Sequence, residues 1–324
     1  MNSMIKVGIV GGAGYTGGEL LRILVNHPQV QIEFVHSNSN AGNPIYKVHT
    51  DLLGMTDLVF TQELSQQIDV LFLCVGHGDA VKFLQQNPID HNIKIIDLSQ
   101  DFRLAKEGND FVYGLPELQK DKIKLAKNIA NPGCFATAIQ LGLLPLVAHK
   151  QVSQDIHISA ITGSTGAGQS LSTTSHFSWR NNNMSVYKAF THQHLKEIRQ
   201  SLTSLQANMD KGINFIPYRG DFTRGIIATI YTPCEWTIEE AKEKYKAYYA
   251  EHPFTFVSDE NIDLKQVVNT NNCFLYLEKH GSQLMIISII DNLLKGASGQ
   301  AVQNMNLLFG LPETTGLRLK AANF

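Results

Sequence analysis

Short apolar runs alternate with helical stretches over the first third of the chain. Nearly uninterrupted apolar runs are typical of parallel strands that are buried on both faces. The clearest such run is DVLFLCV at 69–75, and further strands are predicted at 4–10, 31–36 and 94–97. Helices are predicted after the strand at 4–10, to about residue 26, and after the strand at 69–75, to residue 86. This strand–helix alternation predicts an α/β domain with a Rossmann-type parallel sheet.

The pattern changes after a dense apolar run at 134–147, which predicts a buried helix. Beyond residue 150, strand-like segments mix with helices, and a long polar stretch runs from 163 to about 184. A loop of that length is unusual in a compact domain unless it is functional or packs on a partner. We predict an α+β domain whose antiparallel sheet offers faces and edges for an oligomer interface. Its predicted strands are 156–162, 213–217, 225–231, 274–278 and 283–290, and its predicted helices end near 205, span 238–251 and end near 309.

Composition and charge narrow the possible classes of protein. The chain is 43% hydrophobic and 17% charged, with a formal net charge of −2. These values are typical of a soluble globular protein and give no basic surface for nucleic acid or for a membrane. The first predicted strand begins at residue 4, so no signal peptide is expected. Four scattered cysteines without a CxxC pair predict free thiols in a reducing cytoplasm and no metal site.

A glycine-rich turn joins the first strand to the first helix. Glycines at such a turn let the backbone approach a pyrophosphate closely, and the helix N-terminus favours its negative charge. An ordinary strand–helix turn is the alternative, but the position after an N-terminal strand favours dinucleotide binding. The residues predicted to contact the cofactor here are Gly11, Gly14, Tyr15, Thr16 and Gly17.

The second strand ends in Ser37-Asn38-Ser39-Asn40. An NAD enzyme is expected to carry an acidic residue near this point to bind the ribose, and none is present. Small hydroxyl and amide groups leave room for a 2′-phosphate. The segment therefore favours NADP over NAD, with Ser37 and Ser39 as contacts, although a polar loop without function is the alternative.

Cys134 follows a Pro-Gly turn and opens the predicted apolar helix. A thiol in the first turn of a helix faces unpaired N–H groups and the positive end of the helix dipole, and both favour the thiolate. Cys134 is therefore a candidate nucleophile. The alternative is a buried cysteine that only fills space.

Three further segments carry candidate chemistry. His192, His194 and Glu197 form an HxHxxE pattern, which fits a metal cluster, a base with its orienting group, or plain polarity at a helix start. A histidine beside a thiol is the simplest of these explanations. Arg103 follows a strand at the end of a parallel sheet where ligands bind, and suits an anionic group. Two glycines in the loop at 291–300 indicate close backbone approach to a ligand or to the first domain.

Together these segments resemble the N-acetyl-gamma-glutamyl-phosphate reductases, which are related to aspartate-semialdehyde dehydrogenase. The resemblance implies an NADP-binding Rossmann domain of residues 1–133 and 296–324. It also implies an α+β domain of residues 134–295 for catalysis and for homodimer or homotetramer contacts. The matching segments are GIVGGAGYTGGEL, DLSQDFRL, YGLPEL, NPGCFATA, HQHLKEI and DNLLKGASGQAVQNMN.

The resemblance also implies an activity and roles for the candidate residues. The activity is NADPH-dependent reduction of an N-acyl-gamma-glutamyl phosphate to the semialdehyde in arginine biosynthesis, through a thioester on Cys134 with His192 as its partner base. Aspartate-semialdehyde dehydrogenase, or an NADP-binding sensor without catalysis, is the alternative. The remaining residues implied to bind substrate are Arg103, Asn131, His194 and Glu197, and those implied to bind the cofactor are Asn292 and Gly296.

Two departures from the family pattern lie where the substrate pocket is expected. Gln169 replaces an arginine that usually follows GAG, and FIPYRGDFT before Arg224 is unusual and brings in Arg219. We therefore include Gln169, Arg219 and Arg224 among the predicted substrate contacts. Acetyl is the usual acyl group in the family, and a larger or acidic group such as succinyl is the alternative.

Overall fold

The computed structural model describes residues 4–207 and 209–322. The chain divides into two compact units. The first ends at Pro132 and resumes over Ala297–Arg318, and the second comprises Gly133–Gly296 with the described residues that follow 318. Gly133, Gly296 and the described residues after 318 lie in the second unit by this division, whereas the sequence analysis assigned them to the first domain. For Gly296 the reason is local, since a Cβ there would meet Cys134 and Asn292.

The first unit is built on a parallel sheet of seven strands with the order β3-β2-β1-β4-β5-β7-β6. Its central strands read as continuous apolar runs because both faces are covered, and every residue of β4, Val70–Leu73, is buried. This arrangement confirms the predicted α/β Rossmann-type class. The remaining strands are β1 (Ile5–Val10), β2 (Val30–His36), β3 (Phe60–Thr61), β5 (Lys94–Asp97), β6 (Phe111–Tyr113) and β7 (Asn128–Ala130).

The described part of this unit contains four α-helices, and the last of them comes from the C-terminal part of the chain. They are α1 (Tyr15–Leu24), α2 (Asp79–Gln86), α3 (Pro116–Leu125) and α8 (Ser298–Leu308). Helix α8 packs against α1 and α3, and all of its residues are buried. Two of its buried amides donate to backbone carbonyls, Asn304 to Gly114 at 2.9 Å and Asn306 to Thr315 at 2.9 Å.

The second unit contains a mixed sheet of seven strands with the order β12-β13-β14-β11-β8-β10-β9. The prediction of an antiparallel sheet is wrong in two places, because β8 and β10 pair in parallel and so do β12 and β13. Alternating apolar residues place a strand in a sheet but carry no information on its direction. The strands are β8 (Ile156–Thr162), β9 (Ser185–Val186), β10 (Ile213–Arg219), β11 (Ile226–Pro233), β12 (Thr255–Ser258), β13 (Cys273–His280) and β14 (Gln283–Ile290).

The helices of the second unit are α4 (Cys134–Ala148), α5 (Phe177–Arg180), α6 (His194–Leu205) and α7 (Ile238–Tyr249). Helix α4 packs against β11, β14 and α6, and is buried from Phe135 to Val147. Pro145 lies inside it and cannot donate to the Leu141 carbonyl. The Tyr249 hydroxyl of α7 donates to that carbonyl instead.

Shorter turns complete the described chain. Single 3-10 turns occur at Ile45–Lys47, Thr50–Leu52, Ser164–Ala167, Thr173–Ser175 and Leu264–Gln266. The predicted polar stretch after 163 thus contains two such turns, α5 and the start of β9. None of the helices within residues 4–207 and 209–322 has the length and apolarity to cross a membrane.

Candidate active site

Cys134 is the first residue of α4, and Gly133 before it is extended with φ −73° and ψ 151°. No side chain of the described residues caps this helix end, so first-turn N–H groups remain available to a ligand. Cys134 is partly exposed, whereas Cys74, Cys234 and Cys273 are buried. Burial raises the pKa of the Cys74 thiol to about 12. Cys134 is therefore the thiol suited to reaction.

Glu197 and His194 support the turn that carries Cys134. They lie one turn apart on α6, and both are buried. One carboxylate oxygen of Glu197 accepts a hydrogen bond from the Gly133 N–H at 3.1 Å, and the other lies 3.8 Å from His194 Nε2. Glu197 thus binds the backbone N–H of Gly133, the residue directly before Cys134. Contact of either side chain with substrate stays a prediction.

His192 is buried in an aromatic environment close to the first turn of α4. Its ring lies 5.5 Å from the Phe135 ring, which directly follows Cys134, and 4.6 Å from the His194 ring. Its Nδ1 accepts a hydrogen bond from the His194 N–H at 3.2 Å, which in the neutral ring leaves the proton on Nε2. Burial, and then the charge of Lys188, lower the pKa of His192 to about 4. His192 is therefore neutral at neutral pH.

Tyr187, which the sequence analysis did not single out, links this site to Arg219. Its ring lies 5.8 Å from the His192 ring, and the Arg219 guanidinium carbon lies 4.8 Å from the centre of the Tyr187 ring. Burial, and then the charge of Cys134, raise the pKa of Tyr187. The structure thus brings predicted residues Cys134, His192 and Arg219 into one neighbourhood. No local sequence signal identifies Tyr187, because it follows β9, and only the pairing of β9 with the Arg219 strand brings it to this site.

Two loops beside this site are held together by hydrogen bonds. The Gly163 N–H donates to the Gly225 carbonyl at 2.9 Å, and the Ser164 N–H donates to the Phe222 carbonyl at 2.8 Å. Asn292 bridges the same loops, accepting from the Gly225 N–H at 2.7 Å and donating to the Thr165 hydroxyl at 3.0 Å. The proposed cofactor contact of Asn292 therefore stays a prediction beside this observed structural role.

Arg224 and Gln169 occupy different surroundings. The Arg224 guanidinium binds both carboxylate oxygens of the fully buried Asp291, at 3.0 and 3.1 Å. This pair fixes the loop that carries Arg224 to the end of β14, so a substrate contact of Arg224 stays a prediction. Gln169 is exposed at the end of the 163–168 loop.

Gly296 packs directly against the reactive end of α4. A Cβ at this position would lie 2.8 Å from Cys134 Cβ and 2.6 Å from the Asn292 carbonyl oxygen. Both distances are too short for any side chain. The close backbone approach expected for this loop is therefore to Cys134 and Asn292, and contact of Gly296 with the cofactor stays a prediction.

In the first unit, Arg103 and Asn131 lie together at the carboxyl ends of β5 and β7. Arg103 is buried, and it donates from Nε to the Asn131 carbonyl at 2.9 Å and from Nη2 to the Leu98 carbonyl at 3.0 Å. The Asn131 amide donates to the Ala297 carbonyl at 3.0 Å and accepts from Asn304 at 3.1 Å. The Arg103 guanidinium therefore has a fixed orientation, at the edge where such sheets bind ligands.

A cavity of about 470 Å³ opens beside the glycine turn of the first unit. Gly11 needs its φ of +78°, and a Cβ there would lie 2.4 Å from the Cys74 carbonyl oxygen. Gly17 lets α1 approach the turn, since its Cβ would lie 2.7 Å from Gly11 O. The residues that line the cavity include Gly11, Gly14, His36, Ser37, Asn38, Lys82 and Phe83.

The lining chemistry fits a nicotinamide dinucleotide. The N-terminus of α1 lacks a side-chain cap among the described residues, which leaves donors for a pyrophosphate. Of the contacts predicted in this unit, Gly11, Gly14 and Ser37 line the cavity, whereas Tyr15, Thr16, Gly17 and Ser39 are not among its lining residues. Lys82 was missed because it lies on α2, and only the fold brings it to the Ser37 loop.

Comparison with known proteins defines the class. Residues 6–126 match the NAD-binding domain of semialdehyde dehydrogenases, and residues 134–292 match their dimerisation domain. Vibrio cholerae aspartate semialdehyde dehydrogenase II complexed with ASA superposes with a TM-score of 0.75 at 16% identity, covering 95% of this chain and 99% of that one. The Candida albicans aspartate semialdehyde dehydrogenase with NADP gives a TM-score of 0.68 at 14% identity, with the same coverage. The fold is that of the semialdehyde dehydrogenases, which use a nicotinamide cofactor.

The similarity to one relative is much higher. The N-acetyl-gamma-glutamyl-phosphate reductase of Phocaeicola vulgatus is 60% identical over 322 residues, which cover 99% of this chain and 100% of the relative. The chain belongs to the N-acetyl-gamma-glutamyl-phosphate reductase family. This confirms the resemblance drawn from the sequence motifs and makes the protein an oxidoreductase.

Proposed function

We propose that this protein reduces an N-acyl-gamma-glutamyl phosphate to the N-acylglutamate 5-semialdehyde with NADPH, as a step of arginine biosynthesis. The observation that carries the proposal is a partly exposed thiol at an uncapped helix N-terminus, close to a buried neutral histidine, in a chain of this family. That arrangement suits covalent catalysis at an activated carbonyl.

In the first step the Cys134 sulfur attacks the acyl-phosphate carbonyl carbon. The carbon–sulfur bond forms, the carbon–oxygen bond to phosphate breaks, and phosphate leaves with the electron pair. The thioester that results is a good hydride acceptor, and NADPH supplies the hydride when bound. The carbon–sulfur bond then breaks and returns the thiolate. N–H groups in the first turn of α4, a helix end that no side chain of the described residues caps, are proposed to stabilise the negative oxygen that forms in both steps.

His192 acts in this scheme as a donor through Nε2. Because its Nδ1 accepts from the His194 N–H, the neutral ring presents Nε2–H to the site. That proton stabilises the thiolate or the substrate oxygen. Removing the thiol proton would require the opposite tautomer and the loss of the His194 bond. Glu197 positions the turn, and Arg103 with Asn131 remains the proposed contact of the substrate phosphate.

NADP is the proposed cofactor in preference to NAD. Ser37 and Asn38 offer hydrogen-bonding groups to a 2′-phosphate, and Lys82 adds a positive charge on the same cavity wall. Lys82 also lies 3.4 Å from Asp79, but both side chains are largely exposed, so this ion pair is weak. We expect a lower KM for NADPH than for NADH, and expect Lys82→Gln to reduce that difference.

The protein is proposed to form a homodimer or homotetramer in the cytoplasm. The outer face of the second sheet carries partly exposed apolar residues on adjacent strands, and its strands lie in the region matched to a dimerisation domain. Four of these residues, Ile227, Phe274, Tyr276 and Ile287, also pack against the buried cluster of Ile262, Val267 and Ile289. The apolar surface that stays exposed beside them suits an interface. Free cysteines fit a reducing compartment. The residues of this outer face are Ile227, Tyr231, Phe256, Phe274, Tyr276, Met285 and Ile287.

The direct test is turnover of N-acetylglutamate semialdehyde and of aspartate semialdehyde, each with NADP and phosphate. We expect turnover of the first substrate and loss of that turnover in Cys134→Ala. Preference for aspartate semialdehyde would instead support an aspartate-semialdehyde dehydrogenase, and NADP binding without turnover would support a sensor. N-succinylglutamate semialdehyde in the same assay identifies the acyl group.

A further inference from the structure

Two arginines lie against each other in the second unit, near the candidate active site. Arg180, the last residue of α5, is only 8% exposed. Its Nη1 donates to the Arg219 carbonyl at 3.3 Å, and its Nη2 donates to the Thr174 carbonyl at 2.9 Å. The main chain of one arginine thus holds the guanidinium of the other, and the two positive charges are close together.

The positive charges of Arg180 and Arg219 are not neutralised by a carboxylate of the described residues. Among residues 4–207 and 209–322, neither Arg180 nor Arg219 forms an ion pair with a carboxylate, and the Nε of each is buried without a hydrogen-bond acceptor. The nearby acid is Asp221, whose carboxylate accepts a hydrogen bond from the Asn182 N–H at 2.6 Å. Burial, and then the charge of Arg219, lower the pKa of Arg180, while Asp221 opposes that shift.

Such an arrangement costs stability unless something offsets it. A buried cation without a counter-ion and a buried donor without an acceptor are each unfavourable by about 1–3 kcal/mol or more. An anion between the two guanidinium groups would remove part of both penalties. Arginine is the side chain best suited to this task, because its planar donors match the two oxygens of a carboxylate.

The position of the pair relative to the thiol limits what that anion can be. The Arg219 guanidinium stacks on the Tyr187 ring, and Tyr187 in turn contacts the His192 ring. After burial, the charge of Cys134 is the next largest cause of the raised pKa of Tyr187. One aromatic side chain therefore separates the arginines from the reacting groups. An N-acylglutamyl substrate attached at its side-chain carbonyl has its other charged groups a few bonds away from that carbon.

We propose that Arg180 and Arg219 form a carboxylate-binding subsite for the end of the substrate that does not react. The proposal rests on the proposed function, since it assigns a part of the same substrate to these side chains. Two carboxylates fit this chemistry. One is the α-carboxylate present in every N-acylglutamate, and the other is the terminal carboxylate of an acidic acyl group.

The experiment compares Arg219→Gln and Arg180→Gln with the wild type on two substrates, N-acetyl and N-succinyl glutamate semialdehyde. We expect the loss of a charge-assisted hydrogen bond to raise KM by about 10- to 100-fold, with a smaller change in kcat. Arg219→Lys keeps the charge without the fork and should restore part of the affinity. Arg199→Gln is the matched control, because Arg199 is exposed and donates to the Met209 and Lys211 backbone carbonyls beyond the end of α6. The KM of this variant should be unchanged.

The pattern of KM values identifies the bound group. A rise with both substrates assigns the α-carboxylate, and a rise confined to the succinyl substrate assigns the acyl carboxylate. Unchanged KM for both substrates in Arg180→Gln and Arg219→Gln, with unfolding temperatures like the wild type, would overturn the proposal. Failure of the proposed function is separate, because then the wild type would turn over neither substrate.

Calorimetric binding of N-acetylglutamate and N-succinylglutamate to the wild type and the variants gives a readout that needs no turnover. The binding measurement can be made at a lower temperature if a variant folds poorly at the temperature of the assay. Both arginine variants should bind at least one of these ligands more weakly than the wild type. Equal affinity in all variants would again contradict the subsite.

Discussion

At the scale of single residues, the proposed reacting groups differ in their contacts from the residues that hold the backbone around them. Cys134 is the accessible thiol, and His192 is kept neutral by burial. Glu197 binds the Gly133 N–H and Asn292 bridges two loops, so their observed contacts are with the backbone or with neighbouring side chains. Substitution of a holding residue should therefore change the geometry around the thiol, whereas substitution of Cys134 should abolish the chemistry.

His192 gives a prediction on pH. Its pKa lies near 4 in the folded protein and near 6.5 in an unfolded chain, so the unfolded state takes up the proton first as the pH falls. The free energy of unfolding should fall as the pH drops from about 6.5 to about 4, by on the order of 2–3 kcal/mol, and this loss should be absent in His192→Asn.

NMR titration of the His192 ring protons measures the pKa of His192 in the folded protein directly. A midpoint near pH 4 supports the account. A midpoint near 6.5, with equal pH dependence of stability in the wild type and in His192→Asn, would contradict it.

A substitution at Gly296 tests whether this residue serves the packing around Cys134 or the binding of the cofactor. In Gly296→Ala the new methyl group must displace Cys134 or the backbone of Asn292. We expect kcat/KM to fall by about 100-fold and alkylation of Cys134 to change, because small displacements at a reacting atom cost rate strongly. Dissociation constants for NADP provide the control. Weaker NADP binding with normal alkylation would show that Gly296 serves the cofactor instead.

At the scale of elements, α4 combines an active N-terminus with an unusual interior. Gly142 lets the helix approach β11, since a Cβ there would lie 2.6 Å from the Ile230 Cδ1 atom. Pro145 leaves the Leu141 carbonyl without its helical donor, and the Tyr249 hydroxyl replaces it. Helix α7 thus completes the hydrogen bonding of the helix that carries the thiol.

Tyr249→Phe tests this replacement. Loss of the hydroxyl leaves a buried carbonyl unpaired, so the free energy of unfolding should fall by about 1–3 kcal/mol. In a Pro145→Ala background residue 145 can donate to Leu141 itself, and the effect of Tyr249→Phe should shrink. Urea unfolding of the wild type, the two single variants and the double variant gives the coupling free energy between positions 145 and 249. Equal effects in both backgrounds would contradict the assigned bond.

The sequence predicted elements better than it predicted contacts. Continuous apolar runs located β5 and the NPGC segment located α4, because these signals are local. The sequence did not predict site roles for Tyr187, Arg180 and Lys82, because each reaches its site through strand pairing or helix packing between distant segments. The parallel pairing of β8 with β10 was missed for the same reason. Arg224 was predicted from its neighbourhood in the chain, but its partner Asp291 lies far along the sequence.

At the scale of the whole molecule, each unit supplies a different part of the function. The first contains the glycine turn and the cavity beside Ser37 and Lys82. The second contains Cys134, His192 and the outer apolar face of its sheet. The family membership and the chemistry of both units agree on one activity, and the proposed oligomer accounts for the apolar residues left on that face.

Ile287→Glu tests the oligomer. Ile287 also packs against the cluster of Ile262, Val267 and Ile289, so the unfolding temperature of the variant is measured together with its mass. In the folded variant the charge should shift the protein toward monomer, because a buried unpaired charge destabilises an interface. Analytical ultracentrifugation measures the shift. Ala247→Glu, at an exposed position of α7 in the same unit, is the control and should leave the mass unchanged. An unchanged oligomer in Ile287→Glu would place the interface elsewhere.

The most direct test of the account is to trap the thioester. N-acetylglutamate semialdehyde and NADP, mixed with the protein in the absence of phosphate, should release a burst of NADPH equal to the number of sites. Mass spectrometry of the quenched protein should find the acyl group on the peptide that contains Cys134. NADPH formation without an acyl group on Cys134, or with equal yield in Cys134→Ala, would contradict covalent catalysis by this thiol.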